Sequence, residues 1–227
     1  MDDMIIVGAS GGIGVVLANA FRKEYNLYLT HNDNPLYTFQ STQVDLSGPD
    51  IFGYVDSIAN VLSDKVIVVN CAGVTRSAMG HVMGIPSFEM LLNINLVGAF
   101  RVCSAVLPIM RKKGWGRIIN LSSVVGHLGV PGTSAYSASK AGLEGMTRTL
   151  AVENASKGIT VNSIVLGYME AGMITSVPMG YLESVVKLIP MKRLGGVVNI
   201  VEAVRFLVAA DYVTGTSITV DGGLLCA

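Results

Sequence analysis

Charge is scarce in this chain and evenly split: 14% of its 227 residues are Asp, Glu, Lys or Arg, 16 acidic and 16 basic. That balance leaves no basic face for a nucleic acid and no pull towards an anionic membrane, so neither is expected as a partner. Cysteine is also rare. Cys71, Cys103 and Cys226 are scattered and odd in number, which argues for reduced thiols in a cytoplasmic setting. No group of acidic residues, His or Cys has metal-ligand spacing, so no metal is expected. His81 and His127 lack partners at useful spacings and read as solvated or packed side chains, and Trp115 reads as a turn residue ahead of a strand. Apolar runs break at charge, Gly or Asn before reaching about 18 residues, which predicts no membrane span. The opening Met-Asp-Asp-Met-Ile-Ile-Val is acidic and strand-like, unlike a signal peptide. No linker, charge block, low-complexity tract or repeat interrupts the chain, so residues 1–227 are expected to form one domain with a full core.

What the chain has in abundance is hydrophobic residues, 51% of the total. Short β-branched runs alternate with longer helical patterns. Strands are expected at 4–7, 26–30, 43–46, 66–70, 117–121, 160–165 and 218–220, and helices at 12–24, 51–62, 87–111, 134–157 and 199–210. Asn199 with Glu202 three positions on suggests a capping box at the last helix. Strands this apolar, spaced by helices, predict an α/β fold: a single-domain, Rossmann-type, doubly wound parallel sheet of about seven strands with helices on both faces. Ligands of such sheets sit beyond the carboxyl ends of the strands.

The residues that carry chemistry fall at those ends. The first strand runs into Gly8-Ala9-Ser10-Gly11-Gly12-Ile13-Gly14. Glycines there allow a tight turn and close approach of backbone to a pyrophosphate, whose charge suits the following helix N-terminus. Asn70-Cys71-Ala72-Gly73 follows the fourth strand, and Asn95 lies in the long helix. Tyr136 comes 13 positions after Ser123, and Lys140 comes four after Tyr136. That i, i+4 pair shares one helix face, where an ammonium can pull a phenol towards neutrality and make it a general acid or base. Spacing also selects Ser123 over Ser122, which alternates to the other side of its strand.

Together and in order, these motifs resemble the short-chain dehydrogenase/reductase family over essentially the whole chain. Segments 70–76, 116–126 and 220–223 are most similar to its 3-oxoacyl-[acyl-carrier-protein] reductase branch. The resemblance implies NAD(P)H-dependent reduction of a ketone to a secondary alcohol. The foremost substrate is a 3-oxoacyl thioester, carrier-protein-bound or not, in fatty-acid or polyketide-type synthesis. An NAD(H)-linked dehydrogenase of a small or cyclic secondary alcohol is the alternative. A nucleotide sensor without turnover is a third reading, which the intact catalytic positions speak against. By resemblance Tyr136 protonates the alkoxide, Lys140 tunes Tyr136 and holds the nicotinamide ribose, Ser123 orients the substrate oxygen, and Asn95 holds a water of a proton relay. Gly8, Ser10, Gly11, Gly12, Ile13 and Gly14 would cradle the cofactor, with Asp45 and Leu46 beside the adenine and Gly167 among the residues covering the nicotinamide. Asn70, Ala72 and Gly73 would line the adenosine side, although Asn70 reads equally well as a tie between strands.

Cofactor choice leans to NADPH over NADH, because the second strand ends in Thr30-His31-Asn32-Asp33 without an acid at its tip. No Arg or Lys appears between Lys23 and Lys65, so His31 and Asn32 would have to hold a 2′-phosphate. The chain departs from its relatives at Val7 (usually Thr), at Leu166-Gly167 (usually Pro-Gly), around Ala171-Gly172, and in a short 33–44 segment without room for a third helix. These changes suggest a looser cofactor site. A lid is expected at 168–189, with Met169, Met173, Ile174, Val177 and Met179 suited to an apolar ketone or acyl chain. Lys112, Lys113, Arg148 and Lys157 could receive an acidic carrier protein. Low charge and long helices suggest a homotetramer.

Overall fold

The structure is a computed structural model that describes residues 1–176 and 179–227, with backbone only at 175–176. Among the described residues, seven parallel strands form one sheet in the order β3-β2-β1-β4-β5-β6-β7. They are β1 (Asp3–Val7), β2 (Asn26–His31), β3 (Thr42–Gln43), β4 (Val66–Asn70), β5 (Gly116–Ser123), β6 (Ile159–Leu166) and β7 (Ser217–Val220). The chain winds outwards from β1 in one direction, then returns to β4 and winds in the other. The order therefore reverses between β1 and β4, where the carboxyl ends open a crevice.

Alternation along β1 shows how the sheet is covered. Ile5 and Val7 face one apolar layer with Val68, Ile118 and Val161; Met4 and Ile6 face the other with Ile67, Val69 and Ile119. The first layer is closed by α2 (Asp50–Ile58), α4 (Gly98–Lys113) and α5 (Ser134–Asn154), through Ile51, Val55, Val102, Val106 and Leu150. The second is closed by α1 (Gly12–Phe21) and α7 (Val197–Ala209), through Leu17, Phe21, Ile200, Val204 and Leu207. Every residue of β1, β4 and β6 is buried, as strands covered on both faces must be.

Three local details differ from the sequence expectations. Helix α3 (Ile85–Leu92) runs through a π turn (Asn93–Val97) into α4, making one 29-residue helix with Arg101 as the single charge between Glu89 and Arg111. By length and composition it could cross a membrane, with mean hydropathy 1.7 in its most apolar window; in the fold it lies against α2, α5 and the sheet. Helix α7 begins at Val197 behind Gly196, without a side-chain cap, so the Asn199 capping box does not form. Glu202 instead pairs with Arg205, 2.7 Å away. The lid contains a helix the sequence did not suggest, α6 (Met179–Leu188); as expected, no helix occupies 33–41. Trp115 does lie in the turn before β5, stacked under the Arg117 guanidinium at 4.3 Å.

Candidate active site

Beyond the ends of β1, β4, β5 and β6 lies a cleft of about 470 Å³. Ser123, Tyr136 and Lys140 line it together with Ile13, Cys71, Gly73, Leu166 and Gly167, and Tyr168, Met173, Ile174 and Tyr181 form its outer wall. The volume and the mostly apolar wall with a few convergent polar groups suit a small-molecule site.

The glycine loop forms its inner edge. Gly8 sits at φ +76°, and a Cβ there would lie 2.7 Å from the Ala72 Cα, so the β1 and β4 loops touch with no room for a side chain. A Cβ on Gly14 would collide with the Gly8 carbonyl, and one on Gly12 would lie 2.6 Å from the Gly172 nitrogen. Helix α1 starts behind Gly11 with no side-chain cap and no acidic residue in its first turn. Its free N–H groups, beside exposed Gly11 and Gly12, fit the pyrophosphate of a dinucleotide. The hydroxyl missing at Val7 is supplied from the next strand: Thr30 Oγ1 accepts from Gly8 N at 3.2 Å, and the Thr30 carbonyl accepts from Ala9 N at 2.8 Å. The loop is therefore braced, contrary to the looser site that Val7 suggested.

The remaining cofactor candidates divide. Ala72 and Gly73 are half-buried beside the cleft, and Ser10 and Ile13 flank the glycine turn. His31 stands at the tip of β2 with Nδ1 2.8 Å from Ser41 Oγ, and Asn32 is exposed beyond it. A Cβ on Gly167 would meet the Asp221 Cα at 2.7 Å, which wedges the end of β6 against β7. Asp45 is exposed, but its carboxylate accepts from the Ser47 N–H and hydroxyl at 2.8 and 2.7 Å; this local turn draws its pKa down. Leu46 is buried in the core beneath Gly98, so its side chain is turned away from an adenine. Asn70 is also buried. Its amide reaches Asn120 of β5 at 3.4 Å, and its Oδ1 is unpaired. The arrangement favours the tie between strands over a direct contact.

Helix α5 presents the reactive groups. Tyr136 and Lys140 are one turn apart, both at least nine-tenths buried. Lys140 Nζ donates to the Leu121 carbonyl at 2.8 Å and lies 5.6 Å from the Tyr136 ring centre. Burial pushes Lys140 down to about 8, with the neighbouring Cys71 opposing; burial pushes Tyr136 up to about 12, with the Ser123 hydrogen bond opposing. The sequence expectation was a phenol drawn towards neutrality by its lysine. Here the ammonium addresses the β5 backbone and the ring, so desolvation dominates the phenol. Ser123 ends β5 and accepts from Val125 N at 3.4 Å, capping the short turn Val124–Gly126.

Asn95 lies in the π turn and is 1% exposed. Its Oδ1 accepts from Val74 N at 2.8 Å; its Nδ2 donates to the Val74 carbonyl at 2.9 Å and to Ser139 Oγ at 3.2 Å. Both amide hydrogens are thus engaged, clamping the β4 loop to α5. A relay water would have only the spare lone pair of Oδ1 or a backbone carbonyl that the widened turn frees.

Known proteins resemble the chain over nearly its whole length. Residues 8–225 match the family model described as Enoyl-(Acyl carrier protein) reductase. The chain is 42% identical to the acetoacetyl-CoA reductase of Allochromatium vinosum, with 97% of each protein covered. It is 40% identical to the 3-oxoacyl-[acyl-carrier-protein] reductase of Pseudomonas aeruginosa, over 78% of this chain and 73% of that one.

The chain belongs to the short-chain dehydrogenase/reductase family.

Among solved structures, levodione reductase superposes with a TM-score of 0.91 at 27% identity, covering 100% of this chain and 98% of that one. Membership makes the chain an NAD(P)H-dependent oxidoreductase by family. Of the apolar lid residues, Met169, Met173 and Ile174 line the cleft; Met179 is exposed on the outer side of α6, and Val177 lies outside the described residues. Lys112, Lys113 and Lys157 sit just before the starts of β5 and β6, the end of the sheet opposite the cleft, and Arg148 is three turns down α5 from Tyr136. Those four cations are badly placed to receive a carrier protein at the cleft mouth. Sequence reasoning also passed over Glu144, which has the same i, i+4 offset from Lys140 as Lys140 has from Tyr136. The signal was a carboxylate on the buried face of α5.

Proposed function

We propose that the protein reduces a 3-oxoacyl thioester to the 3-hydroxyacyl thioester, with NADPH preferred to NADH and residues 1–227 acting as one cofactor-binding and catalytic unit in the cytoplasm. The observation that carries this reading is the convergence of Ser123, Tyr136 and Lys140 on an apolar-walled cleft beside the glycine loop. The relatives named as acetoacetyl-CoA and 3-oxoacyl-[acyl-carrier-protein] reductases support the substrate class. When bound, the cofactor supplies the hydride that adds to the carbonyl carbon. Tyr136 gives its proton to the oxygen as negative charge develops there; at about 12 its pKa keeps it protonated throughout the neutral range. Ser123 orients that oxygen by hydrogen bonding. Lys140 offers a cation in a low-dielectric wall, where charge acts strongly, and holds the ribose. Asn95 keeps the β4 loop and α5 in register. Tyr168, Met173 and Ile174 give an acyl chain an apolar wall.

The NADPH preference draws support from the absence of a carboxylate at the tip of β2 and from a His31 ring steadied by Ser41. The test is a cofactor-oxidation assay with acetoacetyl thioesters, simple ketones and cyclic ketones, each with NADPH and NADH. The expected result is fastest turnover of the thioester with NADPH. Turnover of cyclic ketones alone, with NADH, would replace this reading by the alcohol-dehydrogenase one. Tyr136→Phe is expected to abolish turnover while cofactor affinity is retained; substantial remaining activity refutes the acid role.

A further inference from the structure

Glu144 is a buried carboxylate that the proposed reaction does not use. It continues the face of α5 that carries Tyr136 and Lys140, one turn farther on, and is 3% exposed. Its Oε1 accepts from the Ser122 hydroxyl at 2.7 Å, and its two oxygens lie 3.0 and 3.1 Å from His127 Nε2. A carboxylate only accepts, so the His127 hydrogen sits on Nε2. Among the described residues His127 is its one ion-pair partner, and the imidazole itself is partly open to solvent. The Ser122 hydroxyl is also within 3.3 Å of the Lys140 carbonyl.

These contacts grip the chain on either side of Ser123. Ser122 precedes it directly, and His127 closes the turn Val124–Gly126 that Ser123 caps. The β5–β6 ladder and the backbone bonds of the turn hold this segment. Glu144 braces it further from α5 at both ends of 122–127, and with it the direction of the Ser123 hydroxyl towards Tyr136. We propose that Glu144 and His127 are positioning residues that hold Ser123 in hydrogen-bonding register with Tyr136 and the substrate oxygen. The inference rests on the ketoreductase reading for its kinetic consequence but not for its geometry. Neither residue touches the reacting atoms, and both act through the β5–α5 connection.

The test uses His127→Ala, whose site is open enough for the chain to fold, His127→Gln, which keeps a side-chain N–H donor, and Glu144→Gln. His127→Ala is expected to lower kcat about tenfold or more with little change in cofactor affinity, as a small misplacement of a reacting group does. His127→Gln should recover most of that loss. Combined with Ser123→Ala, neither His127→Ala nor Glu144→Gln should reduce kcat further. Independent of any substrate, the NMR signal of Cζ-labelled Tyr136, assigned with Tyr136→Phe, should move in His127→Ala in the direction it moves in Ser123→Ala. An unmoved Tyr136 signal, or losses that multiply with Ser123→Ala, would overturn the proposal and leave a purely structural ion pair. The NMR result stands whichever ketone proves to be the substrate, so the two readings can fail separately.

Discussion

Lys140 and Tyr136 illustrate how one position can be chemically favourable and thermodynamically costly. Burial holds Lys140 at about 8 against an ordinary 10.5, so between those values the unfolded chain carries more protons and stability rises with pH. Tyr136 runs the other way: from its ordinary 10.0 up to about 12 the folded chain keeps a proton that the unfolded chain releases, and stability falls as pH rises. Lys140→Met should therefore be more stable than wild type at pH 7 by urea denaturation, and the gain should shrink across 8 to 10.5. A constant difference over that window would mean that Lys140 is not a strained cation. The same value sets an activity expectation. Ketone reduction should decline as pH rises through about 8, because Lys140 loses its charge while Tyr136 still holds its proton. A pH profile of kcat/KM that stays flat well past 8 would contradict this. The roles of Ser123, Tyr136 and Lys140 came from the family resemblance, whereas the helix face shared by Tyr136 and Lys140 was legible from spacing, since a fixed helix period brings i and i+4 together. The inversion of the Tyr136 shift was not, because desolvation depends on what covers the ring.

At the scale of elements, the loop between β1 and α1 is held from three sides. Gly8 abuts Ala72, Thr30 braces Gly8 and Ala9, and Gly12 abuts Gly172 in the segment after β6. The last contact joins the glycine turn to the base of the expected lid. Gly12→Ala would drive a Cβ into the backbone of Gly172, so it should weaken NADPH binding measured by nucleotide fluorescence while barely changing the unfolding temperature. Thr30→Val should do the opposite, lowering stability by about 1 kcal/mol for one lost hydrogen bond with a milder effect on binding. Equal effects on both measurements in both variants would show that brace and lid contact are not separable. Glycine spacing marked this loop in the sequence, but Thr30 could not be read as its partner, since the two meet only where β1 and β2 pair in parallel. The capping pattern at Asn199 failed for a related reason. Packing of Val201, Val204 and Leu207 on the sheet sets where α7 starts, and that outweighs one cap.

For the whole molecule, the doubly wound sheet accounts for both the two apolar core layers and the place of the cleft. Large apolar side chains nevertheless stay exposed on the outer helices: Phe100 on α4, Val152 on α5, and Val198 and Phe206 on α7. Scattered singly over three helices, they do not by themselves mark an interface, so the homotetramer expected from low charge rests on a direct measurement. Sedimentation should give a mass near four chains, and Val152→Glu or Phe206→Glu should lower it; a monomer at micromolar concentration would dismiss that assembly. By itself the sequence determined the alternation of strand and helix, the glycine turn, and the Ser123–Tyr136–Lys140 spacing, because each depends on short-range periodicity or on the conformational freedom of glycine. Only the tertiary structure decided that Asn70 faces Asn120, that Leu46 belongs to the core, that Asn95 clamps rather than dangles, and that Glu144 reaches both Ser122 and His127. Those outcomes depend on which distant residues share a buried face, and burial is a property of the assembled layers rather than of any segment within them.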